Sequence, residues 1–516
     1  MIVDTTAGKL QGLEKRGVQQ FRGIPYARAE RFRAPQPVEP WAGVRDATAF
    51  GPIAPQNPSP TEAMLGAQDQ PSAEDCLFVN VFTTGVGDEP RPVMVWLHGG
   101  AFVAGSGHVV WYDGSNLARD RDVVVVTLNY RLGALGFLHL GHLDPAFAGS
   151  GANGIRDQIT ALAWVRDNIA GFGGDPGNVT IFGESAGGMS VGTLLGAPSA
   201  RGLFHGAVAQ SGAAENIHAP EVAEWVTDGF LAALDLAQGS AEALLSLPVA
   251  EILRAQSAIE TRVQSEHDRD AGPGVGALTF QPVTDGAVVP APALDAVRAG
   301  SAAGVHLVVG TTADEWNLFH LRDRLRGELT DDKLRSRVAR IAGDRADDLL
   351  DVYRSARPYA DTHGLACAVM TDLVFRQPAI RLAEAQLPHA PRVSMYRFDL
   401  ASTAMDGALG ACHAIEVPFV FDNLDRGGVE MLLGGLDEGA RRLAGRTSGA
   451  WARVAHTASP SSDRPSGDGP SDDGLVWPAY DLDQRQTCLL DREVSVVPDP
   501  EREVREMWAE LSGTRS

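Results

Sequence analysis

Hydrophobic residues gather in short runs that are apolar at both odd and even positions. The clearest are Val93-Met94-Val95-Trp96-Leu97, Val123 to Leu128, Val179-Thr180-Ile181-Phe182, Ala207-Val208-Ala209, His306-Leu307-Val308-Val309 and Val393-Ser394-Met395-Tyr396. A strand with one wet face alternates, whereas a strand covered on both faces does not, so these runs predict buried strands of a parallel sheet. Between the second and third, Ile155, Ile159, Leu162, Val165 and Ile169 recur at helical spacing, and the Gly173-Gly174-Asp175-Pro176 turn closes the stretch. Strand, helix and strand in alternation, separated by glycine-rich turns, predict an α/β protein with a mostly parallel central sheet.

Two stretches interrupt this rhythm. Residues 220–262 and 330–385 are rich in Ala, Leu, Arg and Glu and read as helical insertions packed over the sheet, where they would wall a pocket. Ser459 to Gly474 is almost wholly Ser, Pro, Asp and Gly, which predicts a mobile surface loop, and Asp268 to Gly276 is a weaker case of the same kind. With no repeat and no clear linker, residues 1–516 are expected to form a single domain.

Composition narrows the partners. Lys+Arg 44 against Asp+Glu 66 leaves a net charge of −22, a field that repels phosphate backbones and anionic headgroups, so neither nucleic acid nor membrane is expected to bind. Cys76, Cys367, Cys412 and Cys488 lie far apart without a CxxC pair, giving no disulfide framework and no expected metal site. The opening Met1-Ile-Val-Asp lacks a basic and then apolar leader, and no apolar run approaches the ~18 residues that span a bilayer. A cytoplasmic protein, monomeric or weakly self-associating, is the expectation.

Gly183-Glu184-Ser185-Ala186-Gly187 falls between the strand Val179 to Phe182 and the small-residue stretch Gly188 to Leu195. A serine on a strand-to-helix turn needs small neighbours so that strand and helix can approach and leave its hydroxyl exposed. His98-Gly99-Gly100-Ala101-Phe102 directly follows another strand, and a turn of that kind can aim backbone N–H groups at a developing oxyanion. A nucleophilic serine also needs a base and an orienting acid, in the order Ser, acid, His on this type of sheet. The strand at His306 to Val309 leads to two adjacent carboxylates, Asp314 and Glu315; of the later histidines His320, His363, His389, His413 and His456, His413 stands out by ending a loop after the strand at Val393.

The chain resembles the type-B carboxylesterases, the α/β-hydrolase family that includes bacterial p-nitrobenzyl esterases, liver carboxylesterases and cholinesterases. The resemblance rests on Phe21 to Ala27, Glu74 to Asn80, His98 to Phe102, Asn129 to Gly133, Asn153 to Ser190, Gln210 to Gly212, Pro282 to Gly286, Gly310 to Glu315, His413 to Phe421 and Trp477 to Tyr480, in family order over nearly the whole chain. It implies the α/β-hydrolase fold, with helices on both faces of the sheet and helical insertions over the active site. It also implies a serine carboxylesterase that hydrolyses short- to medium-chain esters through an acyl-enzyme, with small-molecule ester substrates and no cofactor. By resemblance Ser185 is the nucleophile, His413 the base and Glu315, rather than Asp314, the acid. Gly100, Ala101 and Ala186 supply the oxyanion-hole N–H groups, Glu184 adds negative potential beside the imidazolium, and Ser211 offers a buried hydroxyl in support of the carboxylate. Phe102, Phe280, Phe319 and Met405 are candidates for the pocket wall.

Departures from the family pattern refine these expectations. The turn Gly51-Pro52-Ile53-Ala54-Pro55-Gln56 has alanine where eukaryotic members carry the cysteine partner of Cys76, so Cys76 is expected to be a free, buried thiol. The loop Pro55 to Asp75 contains no tryptophan, which lowers choline esters in the ranking, and in this family a Gly-Gly-Ala-Phe hole leaves room for bulky alcohols. Competing readings are a carbamate or amide hydrolase with the same triad, and a non-catalytic binding module of the same fold.

Overall fold

The computed structural model describes residues 1–86, 89–236, 241–267, 278–327, 329–461 and 475–513. The Asp268–Gly276 stretch, and the 459–474 loop beyond residue 461, lie outside the described residues. The strands are, in chain order, β1 (Ile2–Thr5), β2 (Gly8–Gln11), β3 (Leu13–Lys15), β4 (Val18–Pro25), β5 (Val44–Asp46), β6 (Phe78–Thr83), β7 (Arg91–Leu97), β8 (Val124–Leu128), β9 (Gly174–Glu184), β10 (Gly206–Gln210), β11 (His306–Thr312), β12 (Val393–Phe398), β13 (Gln486–Leu490) and β14 (Ser495–Pro498).

An 11-stranded sheet runs β14-β13-β12-β11-β10-β9-β7-β8-β6-β4-β3, and β1, β2 and β5 form a small separate sheet. From β8 through β7, β9, β10, β11 and β12 to β13 every pairing is parallel. The hairpin β13–β14 at one edge and β3, β4 and β6 at the other pair antiparallel. The central strands are buried on both faces, as their unbroken apolar runs require. On β7, Val93, Val95 and Leu97 enter one hydrophobic core while Met94 and Trp96 enter the other. Helices Asn153–Asn168, Ala186–Gly196 and Gln377–Gln386 cover the first face; Glu438–Thr457, with Trp451, covers the second.

The turn read at Gly173 to Pro176 is shorter than expected. Gly173 takes a left-handed φ of 83° after the 3₁₀ turn Ile169–Phe172, and β9 already begins at Gly174. Pairing steps from Arg91–Gly174 to Val93–Val179, so residues 175–178 bulge out of the strand. The 330–385 stretch also divides. Helices Asp331–Ala342, Ala346–Ala356 and Thr362–Thr371 pack with Arg502–Gly513 around a third core that includes Leu334, Leu349, Tyr353 and Trp508, whereas Gln377–Gln386 delivers Ala379, Leu382 and Ala383 to the sheet.

The strand order places the site. β7 lies between β8 and β9, so the chain leaving β7 goes to one side and returns across it to form β9. Connections that part in this way open a crevice at the carboxyl ends of the two strands. Leu97, the last residue of β7, and Glu184, the last of β9, both end there. Among the described residues no helix is long and apolar enough to cross a membrane.

Candidate active site

Ser185 joins β9 to helix Ala186–Gly196 with φ 57° and ψ −123°, a conformation that L-residues reach only under strain. Hydrogen bonds on both sides hold it: Ser185 N donates to Gln210 O at 2.9 Å, and Met189 N donates to Ser185 O at 2.8 Å. The glycines of the motif have a steric cause. A Cβ at Gly187 would lie 1.9 Å from the Leu97 carbonyl oxygen, and one at Gly183 would lie 2.6 Å from the Gly187 carbonyl carbon. Backbone on both sides leaves nothing to give way, so Gly187→Ala is expected to destabilise the fold by more than about 3 kcal/mol, read as a lowered urea midpoint.

The turn after β7 rests against this joint, where a Gly99 Cβ would come within 3.1 Å of Ser185 Cβ. Gly100, Ala101 and Phe102 all take positive φ, at 105°, 56° and 61°. Val103 N and Ala104 N close the turn by donating to Gly100 O, while the N–H groups of Gly100, Ala101 and Ala186 have no acceptor among the described residues.

His413 lies buried with Nδ1 2.6 Å from Glu315 Oε2, and the other oxygen of Glu315 accepts from Thr312 N at 2.8 Å. Glu315 thus sits at the end of β11 with both oxygens engaged. Asp314 faces away, accepting from Ala411 N at 3.1 Å and Arg357 Nη1 at 3.3 Å. His413 Nε2 lies 3.1 Å from Glu184 Oε1, close but poorly aligned, so that oxygen has no hydrogen-bond donor. No hydrogen bond links His413 to the Ser185 hydroxyl, as is common where no substrate is bound.

Carboxyl groups crowd this histidine. Burial, then Glu315 and Glu62, holds Glu184 well above the usual carboxylate range. Burial, then Glu184 and Glu315, pushes Glu416 up to about 8. Burial also pushes Glu62, on the short helix Pro60–Met64, up to about 7, with His413 pulling the other way. A folded-state value raised above the unfolded one means that the Glu416 carboxyl costs progressively more stability as pH rises from its ordinary 4.5 to about 8. Glu416→Gln removes that cost. Its stability relative to wild type is therefore expected to rise by about 2–4 kcal/mol between pH 5 and pH 9 in urea titrations.

The candidates for the pocket wall separate. Phe319 is 44% exposed, with its ring 5.0 Å from that of His413. Phe102 is not a wall: it is fully buried edge-on to Phe137, because the turn that exposes its backbone points its ring into the core. Phe280 is likewise buried in the first core. Met405 is half exposed on the turn Ala404–Gly407, where a positive φ of 51° holds it. Ser211 takes φ 48° and donates its N–H to Gly310 O. Its hydroxyl is buried without a partner, so the expected support of a carboxylate is absent.

The sequence reading missed Phe375, whose ring lies 4.9 Å from that of His413 and parallel to that of Phe319 at 6.3 Å. It sits in the π-turn Asp372–Arg376, and such widened turns often mark functional positions. Trp316 packs on Phe319 at 5.1 Å and extends the aromatic cluster beside His413. Glu62 was also missed, lying on a short helix that carries no motif.

A parallel sheet of this order, with a strained serine at the carboxyl end of β9, is the α/β-hydrolase fold, and the groups around that serine are those of a serine hydrolase. Within that class the chain belongs to the carboxylesterase family, whose model matches residues 1–508, and it is a carboxylic ester hydrolase. It is 39% identical to a para-nitrobenzyl esterase of Bacillus subtilis (strain 168) over 98% of both chains. It is 34% identical to a phenmedipham hydrolase of Pseudarthrobacter oxydans over 98% of this chain and 96% of that protein. Among solved structures, a Geobacillus stearothermophilus carboxylesterase superposes with a TM-score of 0.84 at 39% identity, covering 98% of this chain and 99% of that one.

Proposed function

We propose that ester hydrolysis runs through Ser185 as nucleophile, His413 as general base and Glu315 as its orienting acid. The observation that carries this reading is the 2.6 Å contact between Glu315 Oε2 and His413 Nδ1, which leaves Nε2 as the basic nitrogen on the side of Glu184 and the Ser185 joint. His413 takes the Ser185 proton while Oγ bonds to the ester carbonyl carbon, and the N–H groups of Gly100, Ala101 and Ala186 hold the oxyanion. The imidazolium then gives its proton to the leaving alcohol as the C–O bond breaks. Water repeats the sequence, releasing the acid and restoring Ser185. Glu315, with Glu184 beside Nε2, stabilises the imidazolium of each tetrahedral step.

Phe319, Phe375 and Trp316 give the pocket an aromatic wall suited to apolar acyl or aryl groups. Where pH lies above their raised values and they ionise, the buried carboxyls favour neutral or cationic substrates over anionic ones. The four cysteines are free and buried, in keeping with a reducing, cytoplasmic setting. The test is hydrolysis of p-nitrobenzyl acetate and of p-nitrophenyl acetate, butyrate, octanoate and palmitate. Turnover is expected to peak at short or medium chains; folded protein that releases no alcohol from any of them would overturn the assignment.

A further inference from the structure

Away from Ser185, three side chains converge with nothing to bind. His139 and His142 follow the short helix Gly133–Phe137, and Glu224 lies on helix Pro220–Ala232. One nitrogen of each imidazole and one carboxylate oxygen of Glu224 all lie within 4.8 Å of one another. The two rings stack with centroids 5.2 Å apart and 19° between their planes.

These atoms are otherwise unemployed. His139 is 8% exposed, and its Nδ1 is buried without a hydrogen-bond partner. The side chains of His142 and Glu224 make no hydrogen bond or ion pair among the described residues. A buried orphan nitrogen costs about 1–3 kcal/mol, so its retention beside two further ligand-type groups calls for an occupant. Asp285 adds to the field: its Oδ2 is also buried without a partner, and it acts electrostatically on the His139 ring together with Glu224.

We propose that His139, His142 and Glu224 form a binding site for a divalent transition-metal ion of the zinc class. Two imidazoles and one carboxylate suit Zn²⁺, Co²⁺ or Ni²⁺, whereas Mg²⁺ and Ca²⁺ prefer all-oxygen shells. Ligand atoms about 2.0–2.2 Å from a tetrahedral zinc lie roughly 3.3–3.6 Å apart, so the cluster must close by about 1 Å. His142 is exposed and Glu224 half-buried, and both can swing by that amount around the fixed His139. The ion reaches the site from solvent past His142, and water fills its fourth position.

The backbone is already arranged for this. Thr227 Oγ1 donates to His139 O at 2.9 Å, and Thr227 lies one turn after Glu224 on the same helix face. The 220–232 helix is therefore docked on the His139 segment before any ion arrives. A bound ion would pin the helix Pro220–Ala232 to the segment that follows β8, and none of its ligands belongs to the ester-hydrolysing machinery.

The test uses the full chain, stripped with EDTA, titrated with ZnCl₂ by calorimetry and checked by metal analysis. Wild type is expected to bind one equivalent with Kd at or below about 10 μM, and its Tm to rise by about 2–5 °C at saturation. His142→Ala and Glu224→Gln alter groups that touch solvent, so both should fold with the apo Tm and ester turnover unchanged while losing at least about tenfold in zinc affinity each. His456→Ala, an exposed histidine elsewhere, should bind as wild type does. Absence of one-equivalent binding in wild type, or affinity unchanged in both His142→Ala and Glu224→Gln, would overturn the proposal.

Discussion

Ser185→Ala is expected to lower kcat/KM for p-nitrophenyl butyrate by about 10⁵–10⁶-fold, to the rate of buffer plus whatever the oxyanion donors supply. The variant keeps Cβ, and Ser185 N and O keep their bonds to Gln210 and Met189, so circular dichroism and Tm should match wild type. A companion substitution isolates the strain at the joint. At φ 57° and ψ −123° any residue with a Cβ is strained, whereas glycine is at ease. Ser185→Gly should therefore be as inactive as the alanine variant yet about 1 kcal/mol more stable than it in urea, with glycine's larger unfolded-state entropy already set against the relief. Equal stability of the two would mean that the surrounding contacts, rather than the serine, hold the joint in shape.

Glu315→Gln has the second largest expected effect, a fall in kcat of about 10³–10⁴-fold with KM little changed. Glu315 Oε2 accepts from His413 Nδ1, which places the remaining lone pair on Nε2. A glutamine amide can turn its NH₂ toward Nδ1 and select the opposite tautomer, leaving Nε2 protonated and unable to take the serine proton. Thr312 N, now donating to Oε1, helps fix that choice, because it demands an oxygen on its side and so directs the NH₂ toward the imidazole. Asp314→Asn is the control. Asp314 holds Ala411 N and Arg357 and touches no atom of His413, so its loss should cost stability and less than about tenfold in kcat. If the two substitutions had reversed effects, the acid would be Asp314.

How much was legible in the sequence depended on whether the signal was local. The six buried strands could be read because a strand covered on both faces leaves an unbroken apolar run, and the elbow could be read because strand, serine and helix are contiguous. The short strands β1, β2, β3 and β5 are three or four residues long and partly exposed, so they leave no such run. Choosing Glu315 over its neighbour Asp314 needed the family resemblance, since two adjacent carboxylates look alike until one sees which of them meets His413 Nδ1. Phe102 and Phe319 illustrate the limit for pocket residues: the same side chain serves as core in one place and as wall in the other, and only the backbone direction decides. Glu62 and Phe375 come to His413 from distant segments, and no spacing rule connects them to it.

The carboxyl groups around His413 bear on the end of the catalytic cycle as well as its start. Each turnover leaves a newly formed acid among Glu184, Glu416 and Glu62, and that acid ionises as soon as it meets base. Once pH exceeds about 7 to 8 and Glu62 and Glu416 ionise, a free carboxylate facing them is repelled toward water, while the ester that preceded it carried no charge and was not. Product expulsion is thus built into the carboxyls packed around the base. Inhibition by the acids it makes should therefore weaken as pH rises through about 7 to 8, while the balance between ester and acid stays that of the uncatalysed reaction.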